Sequence, residues 1–459
     1  MGLVAVLDVG KTNVKLTGFG PDLSAAWRRS IPNAPLPGGP FEAIDTGAIW
    51  DFLLDGLGAM TREAPVTDVI ATTHGCAFSA IDRLEPDGGD RGDGLAVPAM
   101  DYEWEGVRAH DAAYDAIRPP FAETGSPALP AGQNGGRQLH YVMREHPDAW
   151  ARVRAVLPLP QWFAWRLCGV AASDVSSLGS HSDLWAPGRG APSSLACALG
   201  LDRLLAPVRP AGAVLGPMRG DLARALGLAA PPRVRTGIHD SNASLAPFLR
   251  SGEPLCLVSS GTWAIAFAPG ATPGAGFSER RDCLLNVDAT GRPVPSARAM
   301  LGREFAALCD GSVPAGPEDA SRVMAAGAMI LPSHVPGVGP FPDRPGTLTG
   351  HAILDEPAGR RAAASLYVAL ILDAMLRMLD AGGRIVLDGP LGADPIVPSA
   401  LAALAGRPVG IGASDASEGC ARMVTGAPAP ASRGVGVDPA RAKEVRRYAQ
   451  RWHDVIASG

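Results

Sequence analysis

The chain has 459 residues, 46% of them hydrophobic and 19% charged, a globular mixture that excludes disordered and collagen-like classes. Two or three domains of ordinary size fit that length. The net charge of −5 gives no electrostatic ground for a nucleic-acid or acidic-membrane partner.

Along the chain, the apolar runs Leu3–Leu7 and Val14–Phe19 flank Asp8-Val9-Gly10-Lys11-Thr12-Asn13, the pattern of two strands joined by a Gly/Asn turn. Asp45 or Thr46 caps a predicted helix carrying Ile49, Phe52, Leu53, Leu57 and Met60 on one face. Val66–Thr73 is a predicted buried strand ending at His74-Gly75, and 87–94 is a Gly/Asp surface loop. Helix is expected over Trp150–Cys168, broken around Pro158 and Pro160. Val234–His239 is a strand that ends at Asp240, and Leu245–Arg250 is the end of a helix stopped by Gly252. Leu255–Phe267 repeats the opening pattern of strand, small polar turn and strand; with Gly10 set on Gly261, Leu7 falls on Val258 and Asp8 on Ser259, as in an internal repeat. Leu366, Leu370, Ala374 and Met378 mark a long buried helix that stops at Gly382-Gly383. A strand over Arg384–Leu387, a helix over Ile396–Leu404, a strand over Pro408–Ile411 and a helix over Ser417–Val424 follow, before a charged amphipathic helix over Asp438–Ile456. Strands alternating with helices define an α/β protein.

The seven cysteines are scattered without a C-x-x-C pair, and the nine histidines form no H-E-x-x-H. No stretch of about 20 apolar residues is present, and the N-terminus lacks the basic lead of a signal peptide. A cytoplasmic protein with reduced thiols is expected. Only three of the 41 basic residues are lysines, and two of them, Lys11 and Lys15, lie in the first turn region. A Gly-containing turn exposes backbone N–H groups that bind phosphate oxygens; Thr12 and Asn13 add donors, and Lys11 and Lys15 add charge. Asp8, ending a buried strand, suits Mg²⁺ directly or through water. Taken alone, the segment reads first as an ordinary hairpin with a solvated lysine. Asp240 in Gly237-Ile238-His239-Asp240-Ser241-Asn242-Ala243 is either a helix N-cap or an acceptor for a substrate hydroxyl proton. Ser259-Ser260-Gly261-Thr262 and Asp388-Gly389-Pro390-Leu391-Gly392 are further Gly turns placed after strands, where ligands gather in α/β folds. His74 is either a structural histidine or a ligand contact.

Taken in order, these segments, together with Glu123-Thr124-Gly125, Pro160–Gly169 and Asp221–Leu228, resemble the FGGY carbohydrate kinases over nearly the whole chain. The resemblance implies two actin/hexokinase-like (ribonuclease H-like) domains with an interdomain cleft, a sugar-binding domain over 1–243 and a nucleotide-binding domain over 244–459. It implies ATP and Mg²⁺ as cofactors and phosphorylation of a sugar hydroxyl. Asp240 then matches the general base and Asp8 the Mg²⁺-linked carboxylate. Gly10, Lys11, Thr12, Asn13 and Lys15 with Gly261 and Thr262 match the phosphate contacts, Gly389 and Gly392 approach the nucleotide, and His74, Gly75 and His239 lie toward the sugar. Asp101, Tyr102 and Gln133 are further candidates for the sugar pocket. His239, the run Ser259–Trp263, and Leu285-Asn286 followed by Ala297–Gly302 are most similar to the rhamnulokinase and fuculokinase branch, which implies the 1-hydroxyl of a 6-deoxy ketohexose. A pentulose, a polyol or a sugar acid is the alternative substrate, and a catalytically weak sugar- or nucleotide-binding regulator the alternative function. Lys11, the Gly389–Gly392 turn and Gly419-Cys420-Ala421 depart from the family pattern. A sugar and ATP are the expected partners, with neither nucleic acid nor membrane; a homodimer is compatible with the chain.

Overall fold

The computed structural model describes residues 2–86, 92–309, 313–412 and 415–458; residues 87–91 of the expected 87–94 loop lie outside them. Leu3–Val9 (β1) is buried at every position. Asn13–Phe19 (β2) returns antiparallel to it, with Asp8 opposite Lys15 and Val9 opposite Val14. Ala25–Pro32 (β3) adds to β2 as an edge strand bearing the exposed Arg28 and Arg29, charges that discourage further strand pairing.

Helix Thr46–Thr61 (α1) starts at Asp45, whose carboxylate accepts from the Ala48 amide at 2.9 Å. Its buried face is Ile49, Trp50, Leu53, Leu57 and Met60, with Phe52 only half-buried. The chain then enters Val66–Thr73 (β4), parallel to β1. The expected helix over 150–168 is three elements. A short helix ends at Trp150, the buried strand Ala155–Pro158 pairs with Phe78–Ile81, and Leu159–Cys168 (α2) begins directly after Pro158. Pro160 falls in the first turn of α2, where a missing N–H removes no helical hydrogen bond. The apolar Ala-Val-Leu run pairs as a strand instead of continuing a helix. Trp162, Phe163 and Trp165 of α2 are fully buried.

Val214–Pro217 (β5), Arg233–Arg235 (β6) and Ile238–His239 (β7) complete the first sheet, ordered β3-β2-β1-β4-β6-β5 with β7 also paired to β4. The single strand expected over 234–239 is thus split at Thr236-Gly237, where a Cβ on Gly237 would stand 2.5 Å from the Ala71 carbonyl oxygen. Helix Asp240–Leu249 (α3) follows at once.

Leu255–Ser260 (β8) and Ala264–Phe267 (β9) form the second hairpin. With Cys283–Val287 (β10), Pro293–Ala299 (β11), Arg384–Asp388 (β12), Val409–Gly412 (β13) and Arg433–Val435 (β14) they build a second sheet, ordered β10-β11-β9-β8-β12-β13-β14. The helices around it are Pro357–Met378 (α4), Val397–Ala405 (α5) and Pro439–Ser458 (α7). Ala416–Thr425 (α6) precedes β14 in the chain. Both sheets share one plan: an antiparallel run ends in a first strand that pairs in parallel with a later one, β1 with β4 and β8 with β12. The repeat read from Gly10 and Gly261 therefore extends to topology.

The chain divides into two units. The first comprises Met1–Arg250, Leu285–Pro293 and Asp415–Ala429, the second Ser251–Leu284, Val294–Ser414 and Pro430–Gly459. In the first, Leu3, Ala5 and Leu7 face a core with α1 and α2, while Val4, Val6, Ile70 and Ile238 face Ala243, Ala246, Cys420 and Ala421 of α3 and α6. That is the two-residue alternation of a sheet covered on both faces. In the second unit α4 is buried along nearly its whole length. Among the described residues, no helix is long and apolar enough to cross a membrane.

Helices α3 and α6 meet at Gly419, where a Cβ would stand 2.1 Å from the Ala243 carbonyl oxygen. Gly419→Ala should therefore destabilise the protein by about 1–3 kcal/mol through overpacking. The check is a lower urea midpoint at unchanged slope.

Candidate active site

β1, β4 and β7 end side by side, with Asp8 paired to Thr72 and Thr72 to Ile238. Asp8 is 8% exposed. Its carboxylate accepts from Ser417 Oγ at 3.1 Å and lies 3.8 Å from Lys15 Nζ. Burial pushes the Asp8 carboxyl up to about 6; Lys15 and Ser417 pull it down, and the charges of Asp240 and Asp415 push it up. A buried carboxylate with carboxylate neighbours gains most from a divalent cation, and its hard oxygens suit Mg²⁺. Asp8 thus fits the metal that the family resemblance implies.

Asp240 is the first residue of α3, and the N-cap position belongs to His239. A plain capping role for Asp240 is therefore corrected. Its Oδ1 accepts from the Ser241 amide at 2.6 Å and Ser241 Oγ at 3.2 Å, and lies 3.1 Å from His239 Nε2. Asn242 Nδ2 donates to His239 Nδ1 at 3.1 Å, which leaves the proton of the neutral ring on Nε2, facing Asp240. Burial pulls the His239 imidazole down in spite of Asp240, so it stays neutral near pH 7. Ser180 Oγ, 3.0 Å from His239 Nδ1, donates to Asn286 Oδ1. Oδ1 of Asp240 is thereby committed, whereas Oδ2 accepts no hydrogen bond from any described residue. One oxygen is held and the other is available to take a proton.

His74 follows β4. Burial pulls its imidazole down, against the Gly75 carbonyl and the charges of Asp240 and Asp101. Its ring meets Tyr102 edge-on at 5.0 Å. A Cβ on Gly75 would lie 3.0 Å from His239 Nε2 and 3.4 Å from His181 Cε1, so the chain passes here close against two imidazoles. The Gln133 carbonyl lies 2.5 Å from Cys76 Sγ and 2.9 Å from His181 Nδ1. The Tyr102 carbonyl accepts from the Gly132 amide at 2.9 Å. His74, Gly75, Asp101, Tyr102, Gln133, His239 and Asp240 are thus linked within the first unit. Lys11, grouped by its sequence position with the phosphate turn, directs its ammonium to Asp101 at 2.5 and 2.6 Å and to Glu103 at 3.2 Å. Thr12 and Asn13 are exposed at the hairpin tip, which Asn33 braces by donating to the Gly10 carbonyl at 2.7 Å.

Ser180, His181, Asn242, Asn286, Cys76 and Ser417 were not singled out by sequence. Asn242, Asn286 and Cys76 lie in or beside quoted segments. Ser180, His181 and Ser417 carry no local signature.

In the second unit, Gly261 and Thr262 are the exposed tip of the β8–β9 hairpin. Ser260 Oγ donates to the Asp388 carbonyl at 2.6 Å and accepts from the Leu391 amide at 3.2 Å, tying this hairpin to the Gly389–Gly392 turn. Gly302 packs beneath, its amide donating to the Thr262 carbonyl at 3.2 Å. Gly389 (φ 86°, ψ −166°) occupies a conformation open in practice to glycine alone. The second unit thus brings Gly261, Thr262, Gly389 and Gly392 onto one joined pair of turns, in which the Gly261, Gly389 and Gly392 amides donate to the Trp263 carbonyl, Asp388 Oδ1 and the Gly389 carbonyl at 2.8, 2.9 and 3.0 Å.

Residues 252–433 match the family described as Carbohydrate kinase FGGY, C-terminal domain. A carbohydrate kinase from Novosphingobium aromaticivorans is 35% identical, covering 100% of this chain and 99% of that one, with a TM-score of 0.88. L-fuculokinase from Salmonella typhi is 26% identical over 272 residues, so the matched stretch is 57% of this chain and only 56% of that relative's length. Xylulose kinase from Rhodospirillum rubrum, 18% identical, shares the fold with a TM-score of 0.78 over 99% of this chain and 98% of its own. The chain belongs to the FGGY carbohydrate kinases.

A Cβ on Gly389 would stand 2.0 Å from the Ser260 carbonyl oxygen. Gly389→Ala should destabilise the joined turns by about 1–3 kcal/mol and weaken MgATP binding. Calorimetric titration with MgATP, at a temperature where the variant remains folded, is the measurement.

Proposed function

We propose that this protein transfers the γ-phosphoryl group of MgATP to a sugar hydroxyl, the 1-hydroxyl of a ketose of the fuculose or rhamnulose type. The carrying observation is the state of Asp240, with Oδ1 accepting from the Ser241 amide and hydroxyl and 3.1 Å from His239 Nε2, and Oδ2 accepting from no described residue. A positioned carboxylate of that kind takes the proton of an attacking hydroxyl. Neutral His239 and His74 offer hydrogen bonds to the sugar without adding charge beside the base, together with Gly75, Asp101, Tyr102 and Gln133. In this reading the sugar belongs to 1–243 and the nucleotide to 244–459.

The amides of Thr12 and Asn13 in the first hairpin, and of Thr262 in the second, are the proposed phosphate donors; the Gly10 and Gly261 amides close their own turns on the Asn13 and Trp263 carbonyls, at 3.0 and 2.8 Å, so these glycines serve by close approach of the backbone. Gly389 and Gly392 let the backbone approach the nucleotide closely. Asp8 is the residue that would hold Mg²⁺, with Lys15 beside it. Bound Mg²⁺ supplies charge neutralisation for the phosphates. The fuculose-type substrate is supported by the L-fuculokinase similarity and by the motifs at 259–263 and 297–302.

Coupled ADP release over L-fuculose, L-rhamnulose, D-xylulose, glycerol and D-gluconate tests the reading; no ADP release with any of them counts against it. Asp240→Asn should lower kcat roughly 10²- to 10⁴-fold while MgATP binding and far-UV circular dichroism persist. Near-normal turnover would remove Asp240 from the role of base.

The sign of the pH effect follows from Asp8. Its carboxyl is raised to about 6, so a proton competes with the cation below that value. Apparent Mg²⁺ affinity should fall between pH 7 and 5 by more than the protonation of free ATP accounts for. Titration of Mg²⁺ at fixed ATP across that range is the check.

A further inference from the structure

Lys11 has a role that its place in the hairpin does not suggest. Its ammonium donates to both carboxylate oxygens of Asp101, at 2.6 and 2.5 Å, and lies 3.2 Å from Glu103. It also sits 5.1 Å from the centre of the Tyr102 ring, within cation–π range. Asp101 is 5% exposed, and besides Lys11 its Oδ1 accepts from the Glu103 amide at 2.8 Å. For Lys11 to reach a phosphate it would have to abandon a buried carboxylate and leave that charge unpaired, the costly outcome for a desolvated ion pair. Tyr102 in turn packs edge-on against His74. The pair therefore joins the tip of the first hairpin to the wall of the proposed sugar site.

We propose that Lys11 is a positioning residue for the sugar, not a phosphate ligand, and that the wall it holds selects an uncharged polyhydroxyl over a sugar acid. This rests on the kinase reading above. The charges acting on the His74 ring are those of Asp240, Asp101 and Lys11, and Glu103, Asp101 and Asp240 all act on Tyr102. A substrate carboxylate brought among them would meet three like charges and an ammonium already committed. A neutral sugar instead offers hydroxyl donors to those carboxylates, and each such bond to a charged acceptor is a strong one. Lysine suits the task because its single ammonium can sit between two carboxylates at the end of a flexible stem.

The test uses Lys11→Met, which keeps the stem and removes the charge, and Lys11→Arg, which restores a cation. Calorimetric Kd for MgATP and steady-state KM and kcat for the most active sugar of the panel are compared with wild type. In Lys11→Met the sugar KM should rise about tenfold or more, with kcat within about threefold and the MgATP Kd within about twofold. Lys11→Arg should recover part of the loss, and wild type should not phosphorylate D-gluconate. A tenfold weaker MgATP Kd with unchanged sugar KM would overturn the proposal, as would no change in either, or efficient turnover of D-gluconate. Where wild type turns over no sugar, the kinase reading fails on its own; calorimetric sugar Kd then replaces KM, with the same outcomes deciding Lys11. Should Lys11→Met fail to fold, Lys11→Arg alone decides, because its larger planar head group disturbs the sugar constant if the wall is its role and the MgATP constant if phosphate is.

Discussion

Strand register across β1, β4 and β7 is the constraint on which the first unit's site depends. Val4 and Val6 face the core formed with α3 and α6, as do Ile70 and Ile238 on the neighbouring strands. Two residues further along β1 comes Asp8, on that same face, where the apolar cover ends. Asp240 stands two residues beyond Ile238. A one-residue slip of β1 would send its hydrophobic set to the other face and take Asp8 with it, and a slip of β7 would shift the start of α3 where Asp240 stands. The residues that bury the core are thus the ones that aim Asp8 and Asp240, and the close packing of α6 on α3 at Gly419 brings Ser417 to Asp8.

Charge within this unit is balanced locally. Asp8 has Lys15, and Asp101 and Glu103 share Lys11. Asp240 has no lysine or arginine partner among the described residues and faces a neutral histidine instead. His239 keeps its neutral form through burial and its tautomer through Asn242, three residues further along the chain.

Much of the architecture was legible because the elements are either strongly periodic or continuously apolar. The hairpins, α1 and α4 announce themselves by spacing, and the Gly10/Gly261 alignment anticipated a shared topology. The stretch 150–168 was not legible: its apolar Ala-Val-Leu run fits helix or strand equally, and pairing with Phe78–Ile81 some seventy residues away decides it. The candidate site was legible where residues cluster along the chain, as in 8–15 and 237–242. Its supports were not, because Ser180, His181 and Ser417 reach the site only through tertiary placement. Lys11 shows the same limit from the other side. Its neighbours in sequence suggested phosphate, and its partners in space are 90 residues away.

The two hairpins, alike in topology, differ in where each keeps its acid. In the first, the carboxylate is on the hairpin strand as Asp8 and the neighbouring parallel strand offers Thr72. In the second the arrangement is reversed, with Ser259 on the hairpin strand and Asp388 beside it. The consequence is chemical. Asp8 is left to a lysine and a serine, partners that a metal ion can displace or share. Asp388 spends Oδ1 on the Gly389 amide, at 2.9 Å, and so fixes the start of a glycine turn. Beside the first hairpin the carboxylate thus stays held by side chains alone, while beside the second it is a brace for a glycine turn.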